Sequence, residues 1–175
     1  MYWILENKLM AGALPSTPDL EGTKAKIGYL KNNNVSAIIN LMEADERDKH
    51  GNPFFDYMPI ANELGIDVLR FPIKDVSIPT IETMRSILDT INHLLENEKT
   101  VYIHCWGGIG RTGTVAGCFL IEHKMATNTE AVSMIQKLKQ HSERLATRIS
   151  PETVEQIRFV ENWSGVSPID IDGKN

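Results

Sequence analysis

The sequence is poor in cysteine, carries no excess of positive charge and has no long apolar run. Only two cysteines, Cys105 and Cys118, occur among 175 residues. With a helix starting near Arg111, Cys118 lies two turns along it, about 10 Å beyond the preceding loop. A disulfide needs Cα atoms within about 7 Å, so no bridge is expected. The formal net charge of −5 argues against a nucleic-acid-binding surface; any positive potential must be local. No apolar run approaches the roughly 18 residues of a membrane span. The N-terminus, Met1 to Asn7, lacks a basic start and a cleavable apolar core, so neither membrane insertion nor secretion is expected. His50, His93, His123 and His141 are scattered without metal-ligand spacing, which leaves no expected metal. There are no repeats and no low-complexity segments.

What is present describes a soluble globular chain, with 42% hydrophobic and 23% charged residues. One domain over residues 1–165 is expected, followed by a tail over 166–175. Trp3-Ile4-Leu5 and Leu9-Met10-Ala11 flank the polar turn Glu6-Asn7-Lys8 and read as an opening hairpin. Residues 19–33 suit a helix with Leu20, Ile27 and Leu30 on one side, stopped by Asn32-Asn33-Asn34. Val35 to Leu41 is apolar on both faces, the mark of a buried strand. Phe54, Met58, Ala61 and Leu64 recur at helical spacing, with Gly65 placed to end that helix. Ile66 to Phe71 is the next strand.

Ile81, Met84, Ile87, Leu88, Ile91, Leu94 and Leu95 form a 3.6-period stripe that leads to a central strand over 100–104. Thr127 and Glu130 read as a capping box. Ser150-Pro151 reads as a cap followed by proline, with Val154, Ile157 and Val160 inward. Strands alternating with helices imply an α/β fold: a mainly parallel sheet flanked by helices.

The chemistry concentrates in His104-Cys105-Trp106-Gly107-Gly108-Ile109-Gly110-Arg111-Thr112-Gly113. A strand, a glycine-rich loop and a helix in that order make an anion cradle of inward N–H groups and a helix N-terminus. Cys105 at its base is expected to favour the nucleophilic thiolate. Arg111 offers a planar fork for two phosphate oxygens, and the Thr112 hydroxyl could donate to the sulfur. Backbone N–H groups of Trp106, Gly107, Gly108, Ile109 and Gly110 complete the expected phosphate-binding set. Nucleophile, oxyanion donors and counter-charge within ten residues point to covalent phosphoryl transfer. A nucleotide-binding P-loop would need lysine where Arg111 stands. A rhodanese-like sulfur carrier has no use for the Arg-Thr-Gly ending.

His-Cys, five residues, Arg, Ser or Thr and Gly is the signature of the cysteine-based protein tyrosine phosphatases, which this sequence resembles at each of those positions. The short length and the lack of a phosphotyrosine-recognition loop resemble the compact dual-specificity branch. The resemblance implies Cys105 as nucleophile, Arg111 as phosphate clamp, and His104 as a residue that orders the loop and helps depress the cysteine pKa. It also implies a general acid upstream, on a loop between a strand and a helix. Asp75, flanked by Pro72 and Pro79, matches that place; Asp45 is a second candidate, while Asp48 and Asp56 lie in less suitable surroundings. Tyrosine-specific relatives place a water-positioning glutamine at the start of a late helix. That place falls at Glu152 here, with Gln156 one turn further in and read as a helix-surface residue.

The expected activity is therefore phosphomonoester hydrolysis through a cysteinyl-phosphate, without metal or organic cofactor, in a reducing cytoplasm. The expected partner is a phosphorylated protein or a small phosphomonoester. Trp106 and Ile109 stand where phosphoinositide phosphatases usually place lysines, which disfavours a polyphosphorylated inositol. The Trp106 ring must either pack outward or shape the entrance. Lys74, Arg144 and Arg148 could add charge at the mouth or lie in solvent. The opposing reading, from another class, is a catalytically silent phosphate-dependent binding module.

Overall fold

The structure, a computed structural model, describes residues 1–164; the expected tail over 166–175 lies outside them. Five strands, β1 (Tyr2–Leu5), β2 (Leu9–Ala13), β3 (Val35–Asn40), β4 (Asp67–Arg70) and β5 (Thr100–Cys105), form one sheet in the order β1-β2-β5-β3-β4. Pairing is parallel throughout except for β1, which returns antiparallel on β2 through the expected hairpin. Six α-helices and one 3-10 turn (Lys139–His141) complete the described fold: α1 (Leu20–Asn32), α2 (Met58–Glu63), α3 (Ile81–Glu96), α4 (Gly110–Glu122), α5 (Ala131–Leu138) and α6 (Val154–Glu161).

Strand alternation divides the core in two. Ala37 and Ile39 of β3, with Val101 and Ile103 of β5, face the larger cluster, where α3 inserts Met84, Ile87, Leu88 and Ile91 and α4 inserts Val115, Cys118 and Phe119. Ile38 and Tyr102 face the other way, onto Ile27 and Leu30 of α1 and Ala61 of α2. A strand covered on both faces must be apolar on both, which is why β3 and β5 read as continuous runs. Each fully buried aliphatic side chain contributes about 1.5–3 kcal/mol, so the α3 stripe alone is a large part of the fold's stability.

Three expectations change. The helix over 54–64 shrinks to Met58–Glu63: the Asp56 carboxylate accepts from the Met58 N–H at 3.0 Å and starts it there, leaving Phe54 in the loop, while Gly65 at φ +70° ends it as expected. Leu20 faces solvent, at the first turn of α1. The last helix is capped by Thr153, not Ser150; Thr153 and Gln156 form a capping box. In this helix Val154 points outward and Gln156 and Val160 point inward.

Candidate active site

The site is built where the central strand ends. β5 runs between β2 and β3, with Cys105 opposite Ala13 and His104 opposite Asn40. The chain then turns sharply through Gly108, whose φ is +74°. A Cβ there would stand 2.4 Å from the Gly12 carbonyl carbon and 2.5 Å from the Ala13 nitrogen, so only glycine fits against the β2 backbone. The Leu14 N–H donates to the Trp106 carbonyl at 3.1 Å and ties the loop to the same strand end. These constraints bring the Gly108 N–H to the Cys105 sulfur at 3.3 Å. α4 begins without a side-chain cap, which leaves the N–H groups of its first turn available to an anion. On the outer side, the Ser150 hydroxyl donates to the Ile109 carbonyl at 2.7 Å.

Arg111 is 1% exposed and almost fully engaged. Its Nη1 donates to Glu46 Oε2 at 2.7 Å and to the Ile73 carbonyl at 3.0 Å. Its Nη2 donates to Glu46 Oε1 at 2.8 Å and pairs with Asp75 Oδ1 at 2.7 Å. Burial opposes the guanidinium charge, yet Glu46, the Cys105 sulfur and Asp75 outweigh it and raise the Arg111 pKa. Glu46, on the charged loop after β3, is the functional residue that sequence reasoning missed. Its side chain is only 8% exposed, and the bidentate pair fixes the orientation of the guanidinium plane.

Asp75 stands where expected, on the loop after β4, with its side chain 45% exposed at the cavity rim. The loop is anchored at its start, where the Phe71 and Ile73 N–H groups donate to the Asn40 and Leu41 carbonyls. It turns through Val76 at φ +60°, an uncommon conformation for a β-branched residue. At its far end the Gln156 amide donates to the Ser77 carbonyl at 3.0 Å. The Gln156 carbonyl oxygen accepts from the Glu152 and Thr153 N–H groups at 3.1 and 3.2 Å. Gln156 is thus fully buried, a clasp between the acid loop and α6, not the helix-surface residue the sequence indicates. Glu152, with Oε1 3.9 Å from Arg148 Nη2, is the residue of this pair that lines the cavity.

His104 is fully buried. Its Nδ1 lies 3.2 Å from the Cys105 carbonyl and its Nε2 2.6 Å from the Tyr57 hydroxyl. A carbonyl only accepts, so Nδ1 carries the proton and Nε2 accepts from Tyr57. Burial holds the imidazole pKa down to about 3. His104 is therefore neutral and adds no positive charge beside the sulfur, and its ring bridges the Tyr57 hydroxyl and the Cys105 carbonyl. The Thr112 hydroxyl points to the Gly12 carbonyl at 3.5 Å, a long bond, rather than to the sulfur. Cys118 is buried in the core, and burial raises its pKa well above that of an ordinary thiol. It remains unpaired, as does Cys105.

Asp75, Val76, Cys105, Trp106, Ile109 and Arg111, with Gly107, Gly110, Arg144, Arg148 and Glu152, enclose about 370 Å³. Arg144 and Arg148 thus reach the mouth, whereas Lys74 is exposed and Asp45 and Asp56 line a separate cavity. The Trp106 ring packs outward on Phe54, with centroids 5.4 Å apart and planes tilted by 56°. The loop carrying the two arginines is held by Lys139, a fully buried side chain whose ammonium donates to the Arg148 carbonyl. Burial, then the nearby Arg148 charge, lower its pKa to about 8. Among the described residues no group of three or more His, Cys, Asp or Glu side chains could hold a metal ion.

Geometry of this kind has counterparts. A family model described as "Polymorphic toxin system, DSP-PTPase phosphatase" matches residues 16–125. Protein tyrosine phosphatase domain-containing protein 1 of Bos taurus is 31% identical over 146 residues, 80% of this chain and 18% of that protein. Dual specificity protein phosphatase CDC14B of Mus musculus is 30% identical over 142 residues, 77% of this chain and 26% of that protein. The chain thus spans well under a third of these curated relatives. Among solved structures, Tk-PTP in its active form shares the fold with a TM-score of 0.65 at 24% identity, over 83% of this chain and 86% of that one. The family model covers more than half of the sequence, including the whole Cys105–Arg111 loop, and the chain belongs to the DSP-PTPase family of cysteine-based protein tyrosine phosphatases.

Proposed function

We propose that this chain hydrolyses phosphomonoesters through a cysteinyl-phosphate, with phosphorylated proteins, phosphotyrosine foremost, or small phosphoesters as substrates. The observation that carries the reading is the convergence of the Cys105 sulfur, the Gly108 N–H, the uncapped start of α4, Arg111 and Asp75 on one cavity. In the first step the Cys105 thiolate attacks phosphorus in line. The S–P bond forms, the P–O bond to the leaving group breaks, and Asp75 gives its proton to the departing oxygen. Loop amides and Arg111 hold the equatorial oxygens as charge develops on them. In the second step Asp75 takes a proton from water as the water oxygen attacks phosphorus. The S–P bond then breaks and releases phosphate and the thiolate.

Three guanidinium N–H groups of Arg111 donate to Glu46 and Ile73, and Nη2 also lies 2.7 Å from Asp75 Oδ1. Bidentate phosphate binding through Nε and Nη2 must therefore take Nη2 from Asp75. In this scheme, the phosphate that binds Arg111 also releases Asp75 to turn toward the leaving oxygen. The requirement for a free Cys105 thiol suits a reducing compartment, and we place the activity in the cytoplasm. The test is hydrolysis of an aryl phosphate by wild type and Cys105→Ser. Turnover lost in Cys105→Ser supports the reading. Wild-type protein that binds vanadate or phosphopeptide without turnover would instead make it a phosphate-dependent binding module.

A further inference from the structure

Eight large apolar side chains are exposed among the described residues, and four of them gather on two neighbouring segments. Val76 and Ile78, 54% and 40% exposed, flank Ser77 on the loop that carries Asp75. Ile149 and Val154, 70% and 62% exposed, lie on the approach to α6 and in its first turn. The Gln156 side chain joins the two segments. Its amide donates to the Ser77 carbonyl, while its carbonyl oxygen accepts from the Glu152 and Thr153 N–H groups. One buried amide group therefore separates the backbone beside Val76 and Ile78 from the backbone beside Val154.

This apolar edge adjoins the catalytic cavity. Val76 lines that cavity directly, and so do Arg148, next to Ile149, and Glu152, two residues before Val154. A polypeptide held by its phosphate in the cavity extends past the mouth, where these side chains stand. Aliphatic groups clustered in water gain from a partner that removes them from it. The charges nearby select among partners. Asp75, Glu152 and Glu155 are exposed in the same two segments, and the chain as a whole carries a formal charge of −5. Carboxylates in that setting repel an anionic bilayer, and they repel each other when two copies meet face to face. They do not oppose a single neutral side chain.

We propose that this edge is a substrate subsite for an aliphatic side chain (Leu, Ile, Val or Met) near the phosphorylated residue of a polypeptide whose phosphate occupies the catalytic cavity. The proposal rests on the phosphatase reading above. An extended peptide rises about 3.4 Å per residue, so a side chain within about three positions of the phosphorylated one reaches a patch that begins at the cavity rim. The Gln156 bridge holds both halves of the subsite at a fixed spacing, so little ordering is needed when the side chain docks. The contact lies away from phosphorus and is made alike in the ground state and the transition state. It therefore acts on KM rather than on kcat.

The experiment is a phosphotyrosine peptide series with Leu, Ser or Ala placed in turn at each flanking position. It reads kcat and KM for wild type, Ile149→Ser, Val154→Ser and the double variant, and binding of the same peptides to Cys105→Ser. At the preferred position, Leu should raise kcat/KM over Ala by roughly three- to tenfold in wild type, through KM. The gain should persist as salt rises, because an apolar contact is not screened. The Leu-to-Ala ratio should fall in each single variant and approach one in the double variant, whose altered side chains are exposed and leave no core cavity. A ratio of one at every position in wild type, or one unchanged in the double variant, overturns the proposal. Binding to phosphatidylcholine vesicles, or self-association, that the double variant loses without any Leu preference would give the patch to a membrane or to a second copy and also overturns it. If wild type turns over no peptide, the phosphatase reading falls. The same ratio measured as binding to Cys105→Ser then decides the subsite, with absent binding counting against it.

Discussion

Asp75 and Arg111 form an ion pair at 2.7 Å in which the candidate acid occupies the same guanidinium nitrogen that a phosphate oxygen needs. Substrate phosphate and Asp75 therefore compete for Nη2, and the two halves of the site are coupled through one nitrogen. Asp75→Asn should lower kcat by about 10²–10⁴ on esters with poor leaving groups and much less on a nitrophenyl ester. It should also bind vanadate or inorganic phosphate more tightly, because a competing negative charge is gone. Turnover across a leaving-group series together with vanadate inhibition checks both effects; an inhibition constant that weakens would rule out the competition.

Glu46 acts on phosphate only through Arg111. Glu46→Ala leaves a buried guanidinium without its bidentate partner, which should cost about 3 kcal/mol of stability. Misorientation of the fork should lower kcat/KM by roughly a hundredfold. Glu46→Gln keeps one acceptor and should fall between the two. Denaturant unfolding and aryl phosphate kinetics on the same preparations separate the losses.

The buried Gln156 holds Ser77 on one side and the start of α6 on the other. Gln156→Leu would orphan the Ser77 carbonyl and two N–H groups, at about 1–3 kcal/mol for each group that finds no water. Hydrogen exchange around residues 74–79 should quicken, and kcat should drop while Cys105 still reacts with an alkylating agent. Unchanged exchange in that segment would show that the clasp does not hold the acid loop.

The neutral His104 makes stability depend on pH. Its pKa is about 3 in the folded chain, against an ordinary 6.5. Between these values the unfolded chain binds a proton that the folded chain does not, so unfolding free energy rises with pH across that window. The contribution is complete above 6.5 and declines as pH falls toward 3, by several kcal/mol in the limit. Urea unfolding of wild type and His104→Asn between about pH 4 and 7 should give a shallower dependence in the variant. Parallel curves would place the titration elsewhere.

The catalytic loop was legible because its parts are local. Cys105, Gly108 and Arg111 lie within seven residues, and the glycine is demanded by a turn that any strand–loop–helix anion site must make. Asp75 was legible from its loop and its distance from the signature. Glu46 was not, because Glu43, Asp45, Glu46 and Asp48 are alike as letters, and only the loop's path selects the one that meets Arg111, 65 residues away. Gln156 was hidden in the same way, since its main partner, Ser77, is 79 residues distant. Ser150 has the sequence context of a helix cap beside its proline neighbour, whereas its hydroxyl serves the Ile109 carbonyl, 41 residues earlier. Local spacing reveals chemistry built from neighbours; chemistry built across the sheet needs the fold.

The close approach of Gly108 to Gly12 and Ala13 has a consequence for how the site comes into being. The floor beneath the nucleophile's loop is supplied by the opening hairpin, and Leu14 latches onto Trp106 from the same side. Residues Gly12 to Leu14 thus back the Cys105–Arg111 loop without lining the cavity itself. A fragment carrying the whole signature but beginning after Pro15 would possess every reactive group and lack the surface that bends them into place. Because the Gly108 turn is shaped against β2, removing that strand should lower the reactivity of the Cys105 thiol toward an alkylating agent.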